Sequence, residues 1–123
     1  MDTALWITQF LLAALFLMSG IIKATQPRAK LAERTPYVED LTDGQVRWIG
    51  ILEALGAVGL LLPAATGILP WLTPLAAVGL ALTMVGAAIV HVRRGEYPNI
   101  IVNLVLFGLA VFVAYGRFVV EPF

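Results

Sequence analysis

Trp48-Ile-Gly-Ile-Leu-Glu53-Ala-Leu-Gly-Ala-Val-Gly-Leu-Leu-Leu62 is an apolar run with one carboxylate set inside it. Extended by a few flanking residues, it has the length and composition of a helix that crosses a bilayer, which needs about 20 predominantly apolar residues. The rest of the chain agrees: of 123 residues, 60% are hydrophobic and 13% charged, and the mean hydropathy is +0.91. A soluble domain is about 45–50% apolar and about 25% charged. The chain therefore reads as an integral membrane protein. Glu53 then needs a reason to be where it is, since a charge at the bilayer centre costs about 2.5–3.5 kcal/mol even on the mildest insertion scales.

Outward from Glu53, the hydropathy pattern places spans at about residues 4–22, 45–62, 72–92 and 98–116. The expected fold is all-α, a four-transmembrane-helix bundle forming a single domain over residues 1–123 with no room for a separate soluble one. The first segment lacks the basic start and small-residue cleavage site of a signal peptide, so it reads as a retained helix. A long polar connection from Lys23 to Gly44, with Pro27, Pro36 and charges of both signs, is expected to hold short interfacial helices. Thr42-Asp-Gly-Gln45 matches a capping box opening the second span. Thr73-Pro74 offers an N-cap and a first-turn proline for the third. Arg93-Arg94-Gly95-Glu96 makes the turn into the fourth.

Lys23, Arg28, Lys30, Arg34, Arg47, Arg93 and Arg94 fall on one side of this topology and Arg117 alone on the other. The positive-inside rule puts the basic side in the cytoplasm and both termini outside. Trp6, Trp71 and Tyr115 near one face, with Tyr37, Trp48 and Tyr97 near the other, fit two interfacial aromatic belts. The chain has no cysteine and one histidine. A single chain thus supplies neither thiolates for disulfide exchange or an iron–sulfur cluster nor two imidazoles for a haem. Its net charge is zero, and topology accounts for its basic residues, so nucleic-acid binding has no support.

The polar residues of the spans converge in depth. Ser19 and Lys23 close the first span, Arg47 and Glu53 open the second, His91 closes the third, and Asn99 and Asn103 open the fourth. Lys23, Arg47, Glu53, His91, Asn99 and Asn103 are the candidate site, a ligand-binding or buried polar cluster in the cytoplasmic half. Glu53 admits two readings, a structural ion pair with Lys23 or Arg47, or the handling of a ligand or proton. His91 reads as an interfacial histidine or a hydrogen-bond donor to the pocket, the asparagines as interhelical glue, and Lys23 as a snorkelling end residue, unless the cluster acts together. Gly79, Thr83, Ala87 and His91 recur every four residues in the third span, a small-residue stripe expected to pack against a neighbouring helix.

Two of these stretches, Phe16-Leu-Met-Ser-Gly-Ile-Ile-Lys23 and Arg47-Trp-Ile-Gly50-Ile-Leu-Glu53-Ala-Leu-Gly56 running on to Leu62-Pro63, resemble the DoxX-like membrane proteins. His91 and the short turn after it also fit. The resemblance spans nearly the whole chain, and Arg-x-x-Gly-x-x-Glu-x-x-Gly is its most specific part. It implies a four-helix membrane fold in a bacterial inner membrane and an association with quinone-linked oxidoreductases or sulfur metabolism. Relatives in animals act in receptor assembly or cargo transport. Lys23, Arg47, Glu53 and His91 are the positions that carry over. The missing cysteines argue against direct thiol redox chemistry in this member.

Three functions follow as expectations. The first is an accessory subunit, not an enzyme by itself, whose pocket holds a small amphipathic ligand such as a quinone or another isoprenoid lipid. The second is a proton-coupled transporter resembling the small multidrug resistance type, although those carry their acid in the first span. The third is an assembly protein without a ligand, docking a partner through the charged first connection. The lipid bilayer is the one partner implied in every case. A membrane oxidoreductase or a second copy of the chain is compatible with the first.

Overall fold

The computed structural model describes residues 1–26 and 41–122, and the interfacial pieces expected between Lys23 and Gly44 fall mostly outside these. Four helices carry the described chain: α1 (Asp2–Thr25), α2 (Asp43–Thr66), α3 (Leu72–Arg94) and α4 (Tyr97–Tyr115), the last extended by a wider π-helical turn, Gly116–Val120. All four are long and apolar enough to cross a membrane. This is the expected four-helix membrane bundle, with each helix running one to four residues past the anticipated span ends except at two points, Leu72 at the start of α3 and Tyr115 at the end of α4.

Local chemistry fixes the ends. Thr42 and Gln45 form the capping box at the start of α2, with Gln45 N–H donating to the Thr42 hydroxyl at 3.1 Å and Thr42 N–H to the Gln45 side-chain oxygen at 2.9 Å. Gly67 and Gly95 end α2 and α3 in the left-handed conformation that glycine adopts without steric cost. α2 does not stop at Pro63 but continues to Thr66. Proline lacks the N–H that would bond the carbonyl four residues back, leaving the Gly59 oxygen in need of a donor. The Thr73 hydroxyl supplies it from α3 at 3.0 Å. Thr73 is therefore not the N-cap that its sequence position promises, because α3 has already begun at Leu72.

The packing is uneven around the bundle. α1 lies mainly on α2 and α3 mainly on α4, with α2 and α3 joining the two pairs. Leu12, Phe16, Leu60, Leu80, Met84 and Val113 form the centre of the core. The outward faces of all four helices are rich in exposed leucine, isoleucine and valine, as a lipid solvent requires. The expected stripe on α3 packs only over its second half, where Ala87 lies against the core and His91 is buried. Gly79 is exposed, and a methyl group built on it meets no atom of the described residues within 4 Å. α3 instead turns Thr73, Ala76, Ala77 and Leu80 towards α2, where Gly59 and Gly56 receive Ala76 and Leu80.

Candidate functional site

The closest approach of backbones sets up the site. A methyl group on Gly20 would lie 2.5 Å from the Gly50 carbonyl oxygen, and one on Gly50 would lie 2.6 Å from the Ala24 nitrogen, so α1 and α2 touch where both residues lack a side chain. The two helices run antiparallel, which puts Lys23 beside Gly50 and Glu53 about one turn deeper. Side chains lean towards the N-terminus of their own helix. Lys23 therefore leans inward and Glu53 leans back towards it. Lys23 Nζ donates to Glu53 Oε1 at 2.7 Å, with the glutamate 1% exposed and the lysine 14%. Of the two partners the sequence offered Glu53, the geometry takes Lys23.

This pair forms part of the wall of a partly open cavity of about 290 Å³ lined by α1, α3 and α4, with Glu53 contributed by α2. Lys23, Glu53, His91, Asn99 and Asn103 all contribute to that wall, together with Ser19 and the apolar side chains of Phe16, Met84 and Leu106. Arg47 does not join them and lies exposed near the start of α2. Asn103 is 8% exposed, and its side-chain Nδ2 has no hydrogen-bond partner among the described residues. His91 is 5% exposed, and its Nδ1 lies 2.9 Å from Glu96 Oε1 in the α3–α4 turn, where Arg94 also approaches the carboxylate. The bond from His91, with smaller help from Arg94, holds the Glu96 carboxyl below its ordinary range against the opposing effect of desolvation. The cavity thus combines a paired carboxylate, an ammonium group, an imidazole and an amide donor. Among the described residues no three His, Asp or Glu side chains converge as metal ligands would.

A second polar cluster at the opposite end is one that sequence reasoning missed. Arg117 is 3% exposed; its Nε donates to Gln9 Oε1 at 2.8 Å and one terminal nitrogen to Asp2 Oδ1 at 2.7 Å and to the Glu121 carbonyl at 3.1 Å. Its guanidinium sits 5.5 Å from the Trp6 ring centroid. Gln9 in turn donates to the Leu60 carbonyl at 2.7 Å, tying α1, α2 and the end of α4 together. The signal was a glutamine in the middle of an apolar span, which calls for a partner as Glu53 does. Arg117 was read only as a topological charge.

The architecture and the cavity define a class, the four-helix integral membrane proteins with a polar chamber towards one end of the bundle. The chain belongs to the DoxX-like family, whose model matches residues 7–113. No curated protein and no solved structure gives a significant match to it.

Proposed function

We propose that this DoxX-like protein is an accessory membrane subunit that holds the head group of a small amphipathic ligand in the Lys23–Glu53–His91–Asn103 cavity. A quinone or another isoprenoid lipid has the right chemistry, since its carbonyl or hydroxyl oxygen accepts hydrogen bonds and its tail is at home among apolar side chains. The observation that carries this reading is Asn103. Buried polar groups are nearly always hydrogen-bonded, and its amide nitrogen, on the wall of the cavity, lacks a partner among the described residues. A ligand oxygen there would supply the acceptor, and Asn99 and His91 line the same space.

The commitment of Glu53 to Lys23 at 2.7 Å weighs against the transporter reading, because a carboxylate that alternates between proton and cargo should not be held by a fixed cation. The assembly reading rests on the first connection, which lies mostly outside the described residues. The charge asymmetry favours a cytoplasmic orientation for the end of the bundle holding the cavity, the family resemblance favours a bacterial inner membrane, and a membrane oxidoreductase is the partner class that a quinone ligand would imply.

Mass spectrometry of small molecules released from protein in native membrane patches tests the reading, with Glu53→Gln and Asn103→Leu prepared alongside. The expected result is an amphipathic species retained by the wild type and depleted in both variants. Equal content in all three would remove the ligand and leave a structural polar cluster.

A further inference from the structure

The cavity is small and unevenly walled. At about 290 Å³ it lies at the lower limit of the roughly 300–1,000 Å³ that ordinary small-molecule pockets occupy. It therefore takes a head group and not a whole lipid, so a tail must leave through one of its sides. Among the described residues, the seam between α1 and α4 is the loosest of those between neighbouring helices. These two helices are drawn together at the far end by Arg117, Gln9 and Asp2 and by the contact of Gly116 with Leu5. Among the described residues nothing comparable closes them beside the cavity, where Leu15 of α1 and Val102 of α4 form its lips and are 40% and 57% exposed. Inside, Lys23 and Glu53 already neutralise one another. A charged head would add an uncompensated charge to a largely desolvated site.

From the loose seam, the exposed lips and the cavity volume, we infer that the chamber is filled from within the bilayer, between α1 and α4, by a single-tailed amphipath with an uncharged, hydrogen-bond-accepting head. The inference rests on the ligand reading above and adds the route and the chemical class. The apolar groove between α3 and α4, lined by Val85, Ile89, Leu104 and Phe107, also reaches Asn103 and provides the internal comparison.

The absence of native cysteine makes the test clean. Ser19, on the cavity wall, is changed to cysteine in the full chain, reconstituted in bilayers and labelled with a lipid-soluble alkyl maleimide or a membrane-impermeant sulfonated one. The lipid-soluble reagent should react faster. Val102→Trp or Leu15→Trp, each a lipid-facing change at the mouth, should slow it about tenfold, the factor given by about 1.4 kcal/mol of added barrier. Leu104→Trp, in the α3–α4 groove, should not. Geranylgeraniol added to the bilayer should protect the thiol, and geranylgeranyl phosphate should not.

Faster labelling by the impermeant reagent, slowing by Leu104→Trp alone, equal protection by the phosphate, or an unreactive thiol would each overturn the inference. The ligand reading fails separately, by equal small-molecule content in the wild type, Glu53→Gln and Asn103→Leu.

Discussion

Asn103 keeps its amide nitrogen buried without a partner among the described residues, and an unsatisfied buried donor of this kind costs about 1–3 kcal/mol. Replacing it with leucine, similar in size and without polar atoms, should therefore raise the melting temperature of ligand-stripped protein while lowering ligand retention. A variant that binds less and melts lower would mean that the amide has a structural partner. Lys23 and Glu53 obey the opposite rule. Removing either partner alone strands a buried charge, at a cost of about 3–5 kcal/mol for fully buried pairs; Lys23 is partly exposed, so the lower end applies. Lys23→Met should thus destabilise the protein in unfolding titrations, and Lys23→Met combined with Glu53→Gln should recover most of the loss. Glu96 adds a pH dependence. Its carboxyl is held below the ordinary range chiefly by the bond from His91, so its contribution to stability is fully present above the ordinary carboxyl pKa. That contribution is lost as pH falls through the lower folded value. Melting curves of wild type and Glu96→Gln should differ at neutral pH and converge in acid.

Helix contacts in this bundle depend on where two backbones meet rather than on how often small residues recur. Gly20 and Gly50 face each other across α1 and α2 with no room for a methyl group against backbone atoms, whereas Gly79 is exposed and uncrowded. Gly50→Ala should destabilise by about 1–3 kcal/mol, the range for overpacking, and pull Lys23 away from Glu53. Gly79→Ala should be neutral or mildly stabilising, since alanine favours helix over glycine by about 1 kcal/mol. The four spans, the capping box and the turn at Arg93–Glu96 were legible in the sequence because they depend on local composition and spacing. The α3 stripe was half legible: Ala87 and His91 turn inward as expected, but Gly79 does not, because periodicity places residues on a face without saying what faces it. Thr73 misled for a related reason: a threonine before a proline signals a helix start, but its hydroxyl answers Pro63 on another helix. Thr73→Val should leave the Gly59 carbonyl unpaired and cost about 1–3 kcal/mol. In a Pro63→Ala background the restored N–H bonds that carbonyl, and the same substitution should cost much less. Additive effects in that double-mutant cycle would show the two residues to be independent.

Across the whole molecule, the polar groups divide between two ends of the bundle. The chamber end was legible as a common depth, because 1.5 Å of rise per residue places Lys23, Glu53, His91 and the asparagines at one level of the bundle. The pairing of Glu53 with Lys23 and the exclusion of Arg47 were not, since they follow from the glycine contact between α1 and α2. At the terminal end, Arg117 meets Gln9, Asp2 and a backbone carbonyl. That cluster has the character of a clamp, holding α1 against the end of α4, while the other end keeps an open chamber. Arg117→Met would strip Gln9 Oε1 of its donor and Asp2 of its counter-charge. Asp2 is 58% exposed and water replaces its partner, so the loss comes mainly from the buried Gln9 bond and should be about 1–3 kcal/mol. If clamp and chamber are separate devices, this variant melts earlier yet keeps its small-molecule content in native membrane patches, the converse of Asn103→Leu. Loss of that content in Arg117→Met, at a temperature where the protein is still folded, would mean that the clamp sets the width of the α1–α4 seam and that the two ends act as one.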